Sequence, residues 1–178
     1  MKRLARAAVL STVADRLREH ESWAGETHIQ KAAFFLQVGL GVPLGYNFIL
    51  YKHGPFAFDL REDLGGFAAD RLIAVRPQSP PYGPRLETTE NGRALQARFP
   101  KTLAAHAPAV ETVAAFLGSR GVGDLERLGT ALLLLREDTH GDDDRLASEM
   151  TRLKPHVSHG TARDAVCEVR AFLAAQTP

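Results

Sequence analysis

The chain has 178 residues, 44% hydrophobic and 24% charged, with a formal net charge of +1. That is the composition of a globular protein, and it excludes disorder, since the chain is neither poorly hydrophobic nor strongly charged. The near-neutral charge argues against a nonspecific nucleic-acid coat, and no apolar run approaches the roughly 20 residues of a membrane helix.

Leu4, Ala7, Ala8, Val13 and Leu17 recur at helical spacing and predict a first helix over about 3–19. Asp15, Arg16 and Arg18 come too early for a secretory leader. Thr27 followed by Gln30 has the pattern of a capping box, opening a second helix with an apolar stripe at Ile29, Ala32, Ala33, Leu36 and Leu40. Gly39, Gly41, Pro43 and Gly45 end it. The run 46–51 predicts a strand, 53–55 a turn, and 56–72 a third helix with a weak point at Gly65 and Gly66. A strand at 72–75, a Pro/Gly-rich tip at 76–84 and a returning strand at 85–88 follow. Helices are then expected near 90–98, 107–119, 123–137, 143–153 and 160–175, with Thr88 or Thr89 capping the first and Ser158 or Thr161 the last. The 123–137 helix is the most apolar and is expected to be central.

Helix, helix, strand, helix, strand, tip, strand, helix is the element order of a winged helix. The expected fold is mostly α (α+β). A winged-helix-like domain with a small β wing covers about 1–100. A helical extension over 101–178 packs back onto it or forms a homodimer interface. The stretch LETTENGRAL at 86–95 resembles the end of many winged-helix regulators, where the second wing strand runs into a T-x-x-G-R-x-L helix start.

A wider resemblance is carried by HIQKAAFFLQ at 28–37, LYKHGPF at 50–56, FDLREDL at 58–64, RLI at 71–73 and LKPH at 153–156. These stretches resemble the YwgA-like family, and more loosely the Panacea (SocA-like) antitoxin domain and the C-terminal domain of the DarG antitoxins. The chain departs from the pattern at Ala32–Ala33 and at His53. The resemblance implies a winged-helix-like fold and a role in toxin neutralisation or defence rather than a defined reaction.

Charge is split along the chain. Residues 1–100 hold 13 Lys/Arg against 10 Asp/Glu, and residues 101–178 hold 9 against 11. A DNA-contacting face would draw on Lys52, His53, Arg61 and Arg71 around the third helix and on Arg76 and Arg85 flanking the tip. Asp59, Glu62, Asp63 and Asp70 on the same helix oppose phosphate. A protein partner, such as a toxin, would instead meet Tyr51, Phe56 and Tyr82. At least one of Phe56 and Phe58 is expected in the core.

No enzyme, cofactor or metal site is expected. Cys167 reads as a buried, inert thiol in a helix, and a single cysteine suits a reducing, cytoplasmic setting. Asp142, Asp143 and Asp144 beside His140 match neither an EF-hand nor a zinc motif and read as helix-terminal acids. His156 and His159 lack a third ligand by spacing.

Overall fold

The computed structural model describes residues 1–79 and 83–176. Among these, eight helices and two small antiparallel sheets share one hydrophobic cluster. Helix α1 runs Arg3–Glu19 and α2 runs Glu26–Phe34, continuing into a π-helical turn at Phe35–Gly39. Strands β1 (Ile49–Tyr51) and β2 (Gly54–Phe56) form a hairpin. Helix α3 is Phe58–Ala69, and β3 (Ile73–Arg76) pairs with β4 (Arg85–Thr88). Then come α4 (Glu90–Ala97), α5 (Pro100–Leu117), α6 (Val122–Glu137), α7 (Asp143–Leu153) and α8 (His159–Ala174).

Most elements fall where periodicity places them, and the differences have local causes. The capping box does not form. Gly25 is the N-cap of α2, and no side chain caps that end. Gln30 instead turns inward, where its amide donates to the Ala57 carbonyl at 3.0 Å and accepts from the Ala57 N–H at 2.9 Å. Gln37 grips Tyr46 and Gly45 the same way, accepting from both N–H groups at 2.8 Å and donating to the Tyr46 carbonyl at 2.8 Å. The Gln37 clamp engages Gly45 and Tyr46 outside any β-ladder, so the strand expected at 46–51 shrinks to 49–51. The expected turn at 53–55 lies one step earlier: Lys52 and His53 make it, and Gly54–Phe56 is a strand. Gly54 has φ +80, a conformation that suits glycine. Helix α5 starts at Pro100, not 107, because Pro100 sits at N1 and Pro108 is tolerated mid-helix, where the unpaired Ala104 carbonyl is on the exposed side.

The second half packs on the first. Helix α5 lies along α1, and α6 lies against α2 and β2. Phe35, Phe116 and Phe172 tie the π-turn, α5 and α8 together, with Phe116 and Phe172 stacked at 4.4 Å. Helix α6 is buried along most of its length, as its leucine content predicts.

The β3–β4 hairpin is extended on one side by a bridge between Gly25 and Arg85, and the Leu86 N–H donates to the Ala24 carbonyl at 3.0 Å. At the far end Thr89 caps α4, accepting from the Gly92 N–H at 3.0 Å while its hydroxyl donates to the Arg71 carbonyl at 2.6 Å. A Cβ at Gly92 would come within 2.2 Å of the Leu72 carbonyl oxygen. Gly92→Ala is therefore expected to lose about 1–3 kcal/mol, read from the denaturant midpoint, despite alanine's better helix propensity.

Candidate functional site

Two features converge where β1–β2 meets α6. The first is a buried polar cluster under the hairpin. Glycines make the approach possible: a Cβ at Gly54 would lie 3.1 Å from the Glu126 carbonyl, and one at Gly129 would lie 3.1 Å from Lys31 Cδ and 3.2 Å from Pro55 Cδ. Lys31 is 1% exposed and donates to the Pro55 carbonyl at 2.9 Å. Burial pushes its ammonium down to about 8, against a partial counter-effect from Glu126. Glu126 is also buried and pairs with Lys154 Nζ at 2.9 Å. His53 Nδ1 stands 3.5 Å and His156 Nε2 3.6 Å from its two oxygens. Burial alone would raise this carboxyl, but the Lys154 ammonium and the two histidines outweigh it and hold it below the usual range. Lys154 also donates to the carbonyls of Tyr51 at 3.1 Å and Lys52 at 2.5 Å. The cluster thus fixes the hairpin turn onto α6 and the α7–α8 link.

The second feature is the opposite face of that hairpin. Alternation along β1 and β2 turns Ile49, Tyr51 and Phe56 outward. Ile49 is 51%, Tyr51 42% and Phe58 44% exposed, and Phe56 is half-buried. The expectation that Phe56 or Phe58 belongs to the core therefore fails, because the clamp on Ala57 turns both neighbours away from it. Tyr51, Phe56 and Phe58 pack edge-on or tilted with centroids 5.0–5.7 Å apart, and the Arg61 guanidinium lies 5.5 Å from the Phe56 ring.

The basic residues fall on several elements, and most are ion-paired. Lys52 and His53 sit at the hairpin turn, exposed. Arg61 pairs with Glu26 at 2.9 Å. Arg71 stands just beyond α3, with φ +58. Arg76 and Arg85, register partners on β3–β4, both pair with Glu87. The acids of α3 are also partly committed: Asp63 takes Arg6 at 2.8 Å and Tyr46 Oη at 2.9 Å, and Asp70 takes Arg3 at 2.8 Å. The outward face of α3 is left with Phe58, Arg61, Glu62, Gly65 and Ala69, which offers one cation. Tyr82 lies outside the described residues.

The remaining candidates resolve locally. Asp142 caps α7, accepting from the Arg145 N–H at 2.8 Å, while Asp143 pairs with Arg170 and Asp144 with Arg163. Cys167 is half-buried rather than buried, and its thiol donates to Asp143 at 3.1 Å. That hydrogen bond, with burial, pushes the thiol up, away from the reactive thiolate. His159 contacts the Ser148 hydroxyl at 3.2 Å. Among the described residues no helix is long and apolar enough to cross a membrane. No family model and no curated protein matches the chain.

Sequence reasoning missed Glu126, Lys31 and Trp23. Glu126 reads as one more charge on an apolar helix. Its signal is that it falls on the buried face of the leucine stripe, beside Leu125 and one turn before Thr130 and Gly129.

Proposed function

We propose that the chain is a non-catalytic, antitoxin-like binding module of the winged-helix kind, which docks a nucleic-acid-handling protein through the aromatic face of β1–β2 and α3. The cluster of exposed Ile49, Tyr51 and Phe58 around half-buried Phe56 carries this reading. Aromatic and arginine side chains dominate binding hot spots, and these four with Arg61 form a ready-packed patch on a hairpin anchored from behind. The winged-helix reading is supported by the element order and by the Gly25–Arg85 bridge, which sets the segment before α2 beside the β3–β4 hairpin. The antitoxin-like reading is supported by the resemblance of the HIQKAAFFLQ and LYKHGPF stretches.

Tyr51→Ser with Phe58→Ser tests it. Both side chains are exposed, so the cost in stability is expected to stay within about 1 kcal/mol. Co-purification at native expression is expected to recover a stoichiometric partner with the parent chain and to lose it with the double variant. Equal recovery with both would remove this surface from the reading.

Duplex DNA contact through the wing is the second reading, favoured by Arg76 and Arg85 sharing a single carboxylate, which leaves the hairpin stem net positive. It predicts low-salt DNA binding that weakens steeply with salt and with Arg76→Ala plus Arg85→Ala.

A further inference from the structure

A cavity of about 780 Å³ opens between the α1–α2 loop, α3, the β3–β4 hairpin and the α5–α6 turn. It lies in the size range of small-molecule sites. Trp23 closes one side, with its indole N–H already donating to the Gly83 carbonyl at 2.9 Å. Apolar side chains come from four elements: Leu64 of α3, Val75 of β3, Leu86 of β4 and Val122 at the start of α6. Val75 and Val122 are 48% and 47% exposed, so folding leaves two large apolar side chains wet at the same cavity. An apolar body seated there would remove them from water.

The charges in the wall are matched within the protein. Arg61 pairs with Glu26 at 2.9 Å, and Arg120 pairs with Glu168. Glu21 adds a further carboxylate. Among the described wall residues no cation is left over for an anionic ligand.

His28 is the polar group with something to offer. It is 5% exposed, and its Nε2 lies 2.9 Å from the Arg120 carbonyl. A carbonyl only accepts, so Nε2 carries the proton. Burial pushes the ring's pKa down, so the ring is neutral and Nδ1 is an acceptor. That Nδ1 makes no hydrogen bond to a described residue and is not one of the polar atoms sealed from solvent. Its lone pair therefore opens on the cavity that the ring lines.

We propose that this cavity binds an uncharged, largely apolar molecule with one hydroxyl or N–H donor, which donates to His28 Nδ1 while its apolar body covers Leu64, Val75, Leu86 and Val122. A carboxylate or phosphate finds no counter-charge in this wall, and a pure hydrocarbon leaves Nδ1 unpaired.

Three ethylbenzenes separate these features. 4-Ethylphenol carries the donor, 4-ethylanisole replaces it with a methyl ether, and 4-ethylbenzoate is an anion of similar size. Each is titrated into the full chain by calorimetry at neutral pH. 4-Ethylphenol is expected to saturate with half-occupancy below about 1 mM. The anisole should bind about fivefold more weakly, and the benzoate about tenfold more weakly or worse.

His28→Gln keeps an amide N–H for the Arg120 carbonyl and removes the Nδ1 acceptor. It should weaken 4-ethylphenol about fivefold and leave 4-ethylanisole unchanged, a split that a damaged cavity would not give. Gly65→Phe is independent of the imidazole. Gly65 borders the cavity from the exposed face of α3, and a Cβ there meets nothing within 4 Å. The fold should keep its melting temperature, since a helix-interior glycine is being replaced, while both ligands lose about tenfold or more. No saturable binding of 4-ethylphenol, equal affinity for the phenol and the anisole, tighter binding of the benzoate, or binding that survives Gly65→Phe unchanged would overturn the proposal. None of these results depends on the aromatic face of β1–β2, so failure here leaves the docking reading to its own test.

Discussion

Glu126→Gln is expected to cost the fold about 3–5 kcal/mol, because it leaves buried ammonium groups without a counter-charge. The carboxylate is 6% exposed and is the nearest anion to two buried ammonium groups, Lys154 at 2.9 Å and Lys31 beyond it. An amide fills the same volume, so the loss measures charge rather than packing. It leaves Lys154 holding the Tyr51 and Lys52 carbonyls with no counter-charge, and the hairpin turn should loosen with it. Glu126→Leu combined with Lys154→Met removes the closest pair together and is expected to recover part of the loss, while Lys31 still lacks its nearest anion. The freed carbonyls belong to exposed residues that water can reach. Denaturant midpoints of the two single variants and the pair decide this. A single-variant loss under about 1 kcal/mol would mean the cluster is hydrated and contributes little. The acid limb of the stability curve gives a second reading. A carboxyl held below its usual range contributes stability that is present above the unfolded value, near pH 4, and fades as pH falls through the folded one. That fading should be shallower in Glu126→Gln.

The helices were legible because their stripes are long. Leu125, Leu128, Leu132 and Leu135 announce α6, and the β4 boundaries at Arg85 and Thr88 follow from the proline-rich tip and the Thr89 cap. The β1–β2 hairpin was not legible, because it is set by side chains far away in sequence. Gln37 fixes Tyr46, Gln30 fixes Ala57, and Lys154 reaches back to Tyr51 across more than a hundred residues. Gln30 sits on the buried side of α2, where periodicity expects an apolar residue, and Gln37 is half-buried in the π-helical turn that follows, so a polar residue in a core stripe was itself the clue. The aromatic patch was half legible. Tyr51 and Phe56 were recognised as surface candidates, while Phe58 and Ile49 could be assigned a face only once the register of Ile49 with Phe56 was known. The charge on α3 misled most. Counting Asp63 and Asp70 as outward acids ignores that Arg3, Arg6 and the Tyr46 hydroxyl turn them toward α1.

Lys31 should make the protein gain stability as pH rises above 8, the reverse of ordinary alkaline behaviour. Its ammonium titrates near 8 in the folded chain against 10.5 when free, so between these values the unfolded chain binds more protons than the folded one. Stability rises with pH wherever that holds. Below pH 8 the lysine is charged in both states and the full cost of burying it is present. By pH 10 the folded chain has shed that charge, and the relief amounts to about 2–3 kcal/mol at 1.36 kcal/mol per unit. The neutral amine still donates to the Pro55 carbonyl, so the hydrogen bond at 2.9 Å survives the titration. Two groups act the other way. The Cys167 thiol is pushed up by its bond to Asp143 and by burial, and the Tyr46 hydroxyl by burial and Asp63, so both keep their protons longer in the folded chain and erode stability as pH rises. Both remain in Lys31→Met, which makes the difference between the two stability curves the proper observable. That difference should be flat below pH 8 and should grow in favour of the parent chain by about 2 kcal/mol between pH 8 and 10. At pH 7 the variant is expected to stand within about 2 kcal/mol of the parent, because losing the donor to Pro55 is offset by losing a buried charge. Parallel curves across the whole range would show that Lys31 is solvated, and that the hairpin rests on α6 less tightly than Gly54 and Gly129 imply.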